Sequence, residues 1–569
     1  MASTMPSSLQ IAQEATLRPI SEIAAAAGIE PDELELYGRY KAKVSLSLLD
    51  RLADRPNGKL INVTAITPTK AGEGKTTTSV SLTQGLGHLG KNVALCLREA
   101  SLGPVFGIKG GAAGGGWSQV IPMEDFNLHL TGDTHAIGAA HNLAAAFVDN
   151  HLHQGNPLGI DPRRVLWPHV VDISDRALRH AVIGLGGPED GVPRETEWQI
   201  TVASEIMAIL ALARDLPDLR ARLGRVILAL TRDGRPVTAE DLHVAGAMAV
   251  LLHDALAPNL LQTLEGGPAF VHTGPFANIA HGNSSILADR AALATNDIVV
   301  TEAGFGSDMG AEKFVNIKCR ASGLRPDAAV IVATIRALKM HGGVGRIVAG
   351  KPLDPALRAE NPDAVRAGCA NLAAHVGIVR SFGIPVVVAV NRFPSDTEAE
   401  MDVVREEAAR AGACDAVPTT LHAEGGRGAE ALAAAVWAAA ADGPGTFDLT
   451  YPDELPLTEK IEAIATRIYG ADGVDIAPAA ARALATAEEL GLGALPVCIA
   501  KTQYSLSHDG SLKGRPTHFR LPVRDVQLRA GAGFVTPVAG DMRTMPGLPS
   551  RPAGERIDLD SDGRIVGLF

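Results

Sequence analysis

Residues 67–79 read TPTKAGEGKTTTS, and whether this stretch is a phosphate cradle decides how the rest of the chain is organised. The full cradle pattern is G-x-x-x-x-G-K-[ST]: backbone N–H groups wrap the phosphates, the lysine reaches the β- and γ-phosphates, and the hydroxyl holds Mg²⁺. Gly74, Lys75 and Thr76 supply its end, and Thr69 stands where the first glycine belongs. Residues 60–66 are an apolar run of strand length, residues 75–89 carry a helical pattern stopped by Gly90, and residues 92–97 are the next apolar run. Strand, glycine turn, helix and strand make a βαβ unit. The N–H groups of Gly72 to Thr76 then point at a phosphate, with the positive end of the helix dipole behind them. A plain glycine turn with a surface lysine is the bland alternative; G-E-G-K-T between a strand and a helix favours the cradle. The predicted phosphate residues are Thr69, Lys70, Ala71, Gly72, Glu73, Gly74, Lys75 and Thr76, with Thr76 also the predicted Mg²⁺ ligand.

Working outward, further buried-strand candidates lie at 225–230, 297–300, 328–332 and 385–390, mostly separated by helical stretches such as 197–214. This rhythm predicts an α/β fold, a doubly wound, mostly parallel sheet, in which ligands sit beyond the carboxyl ends of strands. The chain has 569 residues, 46% apolar and 20% charged, enough for several domains. Its net charge of −12 argues against nucleic acid or an acidic membrane as partner, so any bound polyanion should be small. Cys96, Cys319, Cys369, Cys414 and Cys498 are scattered, without a C-x-x-C pair, which fits a reducing cytoplasm. The first twenty residues lack the order of a signal peptide, and no run is apolar and long enough to span a membrane.

The strand ends carry the rest of the chemistry. Arg98-Glu99 follows the second strand, ahead of the glycine-rich FGIKGGAAGGGW at 106–117. An arginine fork there suits a second small anion beside the γ-phosphate, whereas the plainer alternative pairs Arg98 with a structural acid. Later strand ends bear HTGPFANIAHG (272–282), TEAGFGSD (301–308) and NRFPSD (391–396). None has metal-ligand spacing, and His272 and His281 read as satisfied structural histidines. NRFPSD resembles the base-reading motif of GTPases, but Arg392 replaces its lysine and the acid is displaced, so guanine recognition is not expected.

Taken in order, TPTKAGEGKTTTSVSLTQGL, LREASLGPVFGIKGGAAGGGWSQVIPMEDFNLHLTGD, GPFANIAHGNSS, VTEAGFGSDMGAEKF, ALKMHGGV, PVVVAVNRFPSDTEAE, LPVCIAKTQYSLS and GAGFVTPVAGDMRTMPGLP closely resemble the formate–tetrahydrofolate ligases. The resemblance covers essentially the whole chain, and Thr69 is that family's form of the loop. It implies ATP-dependent ligation of formate to tetrahydrofolate: formate attacks the γ-phosphate of MgATP, and N10 of the folate then attacks formyl phosphate, giving 10-formyltetrahydrofolate. Lys75 and Arg98 become the expected catalytic residues, stabilising developing negative charge without a proton donor.

The resemblance also implies a folate pocket around Phe393 and Pro394, with His422 of LHAEGGRG where the family has tryptophan. Lys70 and Ala100 depart from the family's usual prolines. A monovalent cation, K⁺ or NH₄⁺, is implied, with Glu99 and Asp133 as candidate ligands, and a homotetramer in the cytoplasm is expected. Three domains are expected: a P-loop nucleotide and formyl-phosphate domain over 1–365, a smaller α/β domain contributing to the folate pocket over 366–454, and a C-terminal domain over 455–569. Two alternatives stay open, a formyl-phosphate ligase with a changed acceptor and a regulatory ATPase of the deviant P-loop kind, toward which Lys70 points. The second usually has one compact nucleotide domain, unlike this long chain.

Overall fold

A computed structural model describes residues 5–568 apart from 110, 111, 349–351, 442, 444 and 541. Among them a 12-stranded sheet carries the architecture. Its strands, in chain order, include β1 (Leu34–Leu36), β2 (Ala42–Val44), β3 (Lys59–Ala65), β4 (Val93–Leu97), β5 (Ser118–Ile121), β6 (Asn259–Thr263), β7 (Pro268–Val271), β8 (Ile298–Glu302), β9 (Ala328–Ala333), β10 (Val386–Asn391) and β11 (Asp415–Thr419). The main path runs β1-β2-β6-β7-β4-β8-β3-β9-β10-β11. From β7 to β11 every neighbouring pair is parallel, while β6, β2 and β1 add an antiparallel flank. β3 is the switch strand, with β8, β4 and β7 on one side and β9, β10 and β11 on the other.

Both faces of the parallel part are covered, which is why its strands are continuous apolar runs rather than alternating ones. In β9, Ala329, Ile331 and Ala333 enter one core with the helix Pro362–Ser381, while Ala328, Val330 and Val332 enter the opposite core with the helix Glu430–Ala439. The phosphate-loop helix, Lys75–His88, is rich in Thr and Ser yet buried along most of its length. It tolerates this because Thr78, Ser79 and Thr83 donate their hydroxyls to carbonyls one turn back, at 2.9, 3.1 and 2.9 Å.

Strands at 60–66, 92–97, 297–300, 328–332 and 385–390 were each expected, and each lies in the parallel sheet within a residue or two. Two expectations are corrected. Residues 225–230 do form a strand, Ile227–Thr231, but in a separate antiparallel sheet between Pro236–Thr238 and Ile160–Val165. The helix expected over 197–214 is confined to Glu205–Leu212: Trp198–Ile200 pairs as a strand with His169–Val171, and Ser204 caps the helix by accepting the Ile206 N–H. Tertiary pairing overrode local helical periodicity at that point.

Candidate active site

Because β7, β4, β8, β3, β9 and β10 are parallel, their carboxyl ends share one rim, and the motifs read from the sequence meet there. The phosphate loop leaves β3 and enters its helix through Gly72 and Gly74, at φ 74° and 81°. Gly74 has a second reason to be glycine, since a Cβ would sit 2.5 Å from Asn391 Nδ2. That amide donates to the Glu73 carbonyl at 3.2 Å. Thr69, in the first-glycine position, is buried and ties the turn by its own bonds: its Oγ1 accepts the Ala71 N–H at 3.2 Å, and its N–H donates to Glu73 Oε1 at 2.8 Å. The other Glu73 oxygen accepts from the Thr334 hydroxyl at 2.5 Å, fastening the loop to the end of β9. Lys75 and Thr76 open the helix half-buried, and Lys70 is exposed at the rim.

Two strands along the same rim, Arg98 follows β4. Its Nη1 donates to the Pro275 carbonyl at 3.3 Å, and Nη2 lies 3.6 Å from Glu302 Oε1 at the end of β8. The fork packs against Gly304, where a Cβ would stand 3.2 Å from both terminal nitrogens. Arg98 Nε is buried without a partner. So are Glu302 Oε2, both ring nitrogens of His281, Asn283 Oδ1, Asn278 Oδ1, Thr273 Oγ1 and Glu99 Oε2, all just beyond β4, β7 and β8. Buried polar groups are normally bonded, so this concentration marks a place completed by a small polar ligand.

Of the two expected cation ligands, Asp133 is already neutralised. Lys43 Nζ lies 2.8 Å from its Oδ1 and Asn259 Nδ2 donates to its Oδ2 at 2.7 Å, with both charged side chains buried. Glu99 differs: its Oε2 is unbonded, and burial together with nearby Asp133 pushes its carboxyl well above the usual range. Glu99 keeps an unbonded oxygen, whereas Asp133 is already paired.

Phe393 and His422 follow the paired strand ends Asn391 and Thr419. Phe393 stacks on Arg336, whose guanidinium is 4.0 Å from the ring centroid and also donates to the Gly72 carbonyl at 3.0 Å. Pro394 is exposed. His422 lies against the glycine strand, its ring 3.5 Å from where a Gly115 Cβ would be, and its carbonyl accepts the N–H of the exposed Trp117 at 3.0 Å. Gly110 and Gly111 of the same glycine-rich motif lie outside the described residues.

Several functional neighbours were missed by reading motifs alone. Arg336 and Thr334 brace the loop from just after β9, signalled only by their place at a strand end; Glu302, within the quoted TEAGFGSD motif, pairs with Arg98 as the plainer alternative for Arg98 had it. His272 is satisfied as expected, with Nδ1 bonded to Ser285 Oγ and Nε2 to the Ala255 carbonyl, both at 2.7 Å. His281 is not: it is fully buried with neither nitrogen bonded, and burial among Lys318, Lys313 and Arg98 holds it well below its ordinary pKa, hence neutral.

The family model described as Formate--tetrahydrofolate ligase matches residues 6–569. A protein of that name from Roseiflexus castenholzii is 61% identical over 564 residues, covering 99% of this chain and 100% of its own. Those from Desulforamulus reducens and Paracoccus denitrificans are 58% and 57% identical, again over 99% of this chain and 100% of theirs. With the cradle, the arginine on the same rim and full-length identity of this order, the chain belongs to the formate–tetrahydrofolate ligase family.

Proposed function

We propose that this protein joins formate to tetrahydrofolate at the expense of ATP, through formyl phosphate. The observation that carries the reading is the partnerless buried cluster around Arg98, which shares the rim of the sheet with a braced phosphate loop. A formate oxygen attacks the γ-phosphorus, the bond to ADP breaks, and formyl phosphate remains between Lys75 and Arg98. N10 of the folate attacks the formyl carbon; the tetrahedral oxyanion collapses, phosphate departs with the electron pair of the C–O bond, and the N10 proton is lost to solvent. Phosphate leaves readily where oxide cannot. Arg98 and Lys75 stabilise the negative charge that builds in both steps.

Mg²⁺ is proposed at the Thr76 hydroxyl, where it would supply positive charge against the phosphates. A monovalent cation is proposed at Glu99 alone, on the strength of its unbonded oxygen. The ATP phosphates are assigned to Thr69 through Thr76, and the pterin to Phe393, Pro394 and His422. The division near residue 454, a homotetramer and a cytoplasmic location belong to the same proposal. The test is formation of 10-formyltetrahydrofolate from ATP, formate and tetrahydrofolate, omitting each in turn. Product made without formate, or none with all three, overturns it.

A further inference from the structure

Thr67, where the chain leaves β3 for the phosphate loop, has every polar group bound by a side chain. Its N–H donates to Asn371 Oδ1 at 3.2 Å, its carbonyl is 2.9 Å from His341 Nε2, and its hydroxyl meets His375 Nε2 at 3.0 Å and Asn371 Nδ2 at 2.9 Å. His341 ends the helix Ile335–His341, and Asn371 and His375 lie on the helix Pro362–Ser381. All three are buried.

The far side of each ring fixes its tautomer. The Gly514 N–H donates to His341 Nδ1 and the Ser307 N–H donates to His375 Nδ1, each at 3.2 Å. Both Nδ1 atoms are therefore acceptors, so both rings are neutral, with the proton on Nε2 donated to Thr67. Asn371 Nδ2 also donates to the Gly514 carbonyl at 2.8 Å. One residue at the mouth of the phosphate loop is thus tied to the loop after β8 through Ser307 and to the C-terminal region through Gly514.

We infer that His341, Asn371 and His375 are positioning residues for ATP: as neutral donor–acceptor relays they hold Thr67, and so the phosphate loop, in register with the Ser307 loop and the Gly514 turn. Protonation would put a hydrogen on Nδ1 against a backbone N–H and undo the relay. The titratable groups facing His375 are Asp308, which favours its protonation, and His341 and Lys501, which oppose it; Glu73 and Lys513 face His341 with opposite effects. Burial outweighs both acids and keeps the rings neutral at ordinary pH.

This rests on ATP occupying the loop, so the primary readout is equilibrium binding of a non-hydrolysable ATP analogue by calorimetry, independent of turnover. His375→Leu should weaken the analogue about tenfold, by the loss of its buried bonds to Thr67 and from Ser307, while leaving formate and folate Michaelis constants within about twofold. His375→Gln, which keeps an acceptor and an N–H donor, should recover most of that loss. In wild type, affinity should fall as pH drops toward about 4, and His341→Gln/His375→Gln should flatten that fall. Unchanged analogue affinity in a folded His375→Leu protein, or equal weakening of all three substrates, overturns the inference. If wild type binds the analogue but makes no 10-formyltetrahydrofolate, the functional proposal fails and this one stands.

Discussion

Arg98→Lys isolates what the guanidinium fork does, because it keeps the charge and removes the geometry. In the native site one terminal nitrogen is held by the Pro275 carbonyl, the other faces Glu302, and Nε is buried and unbonded. Nε and the outward N–H groups are what a formate or formyl phosphate oxygen can accept from. A lysine ammonium at this point has a single centre, with Glu302 and Pro275 competing for it, so at least one charge-assisted bond to the anion is lost. Such a bond is worth about 1.5–3 kcal/mol, or roughly ten- to a hundredfold. The Michaelis constant for formate, varied at saturating ATP and folate, should rise by that factor, and kcat should fall as the oxyanion loses a donor. Affinity for a non-hydrolysable ATP analogue should move less than about threefold, since the loop is braced by Glu73, Asn391 and Thr334 without help from Arg98. Formate saturation unchanged with ATP binding lost would assign Arg98 to the nucleotide and refute the reasoning.

Lys75→Met should lower turnover by roughly 10³-fold or more with the fold intact by circular dichroism, as expected of a lost cation on the transferred phosphoryl group. Gly74→Ala meets both φ 81° and the Asn391 amide 2.5 Å away, so it should cost on the order of 1–3 kcal/mol in thermal unfolding and raise the ATP constant. Phe393→Ala should raise the folate constant about five- to tenfold, and His422→Trp should lower it, an indole offering the larger π-face; steady-state kinetics with varied folate reads both. Burial lowers His375 to about 4, so the unfolded chain binds the extra proton below its ordinary pKa of about 6.5. Its contribution of roughly 3 kcal/mol is therefore present above that pH and lost as pH falls toward about 4, which melting temperatures of wild type and His375→Gln across this range will show.

The sequence by itself determined the cradle, the parallel strands and the motifs beyond them, because those features are local. G-E-G-K-T needs left-handed glycines at a strand-to-helix turn, a strand buried on both faces must be apolar throughout, and the carboxyl ends of parallel strands bring motifs hundreds of residues apart to one rim. Arg98's place at the end of β4 was legible for the same reason. What the tertiary structure decided was partnership. Residues 197–214 carry a helical pattern, but Trp198–Ile200 found a strand to pair with. Asp133 reads as an acid near the site until Lys43, ninety residues earlier in the chain, is seen bonded to it. His272 and His281 are nine positions apart in one motif, yet one is fully bonded and the other not at all. Whether a buried polar group is satisfied depends on atoms brought from distant segments, and no local pattern encodes them; Thr67, held by residues near 341 and 371 and through them by Gly514, is the extreme case.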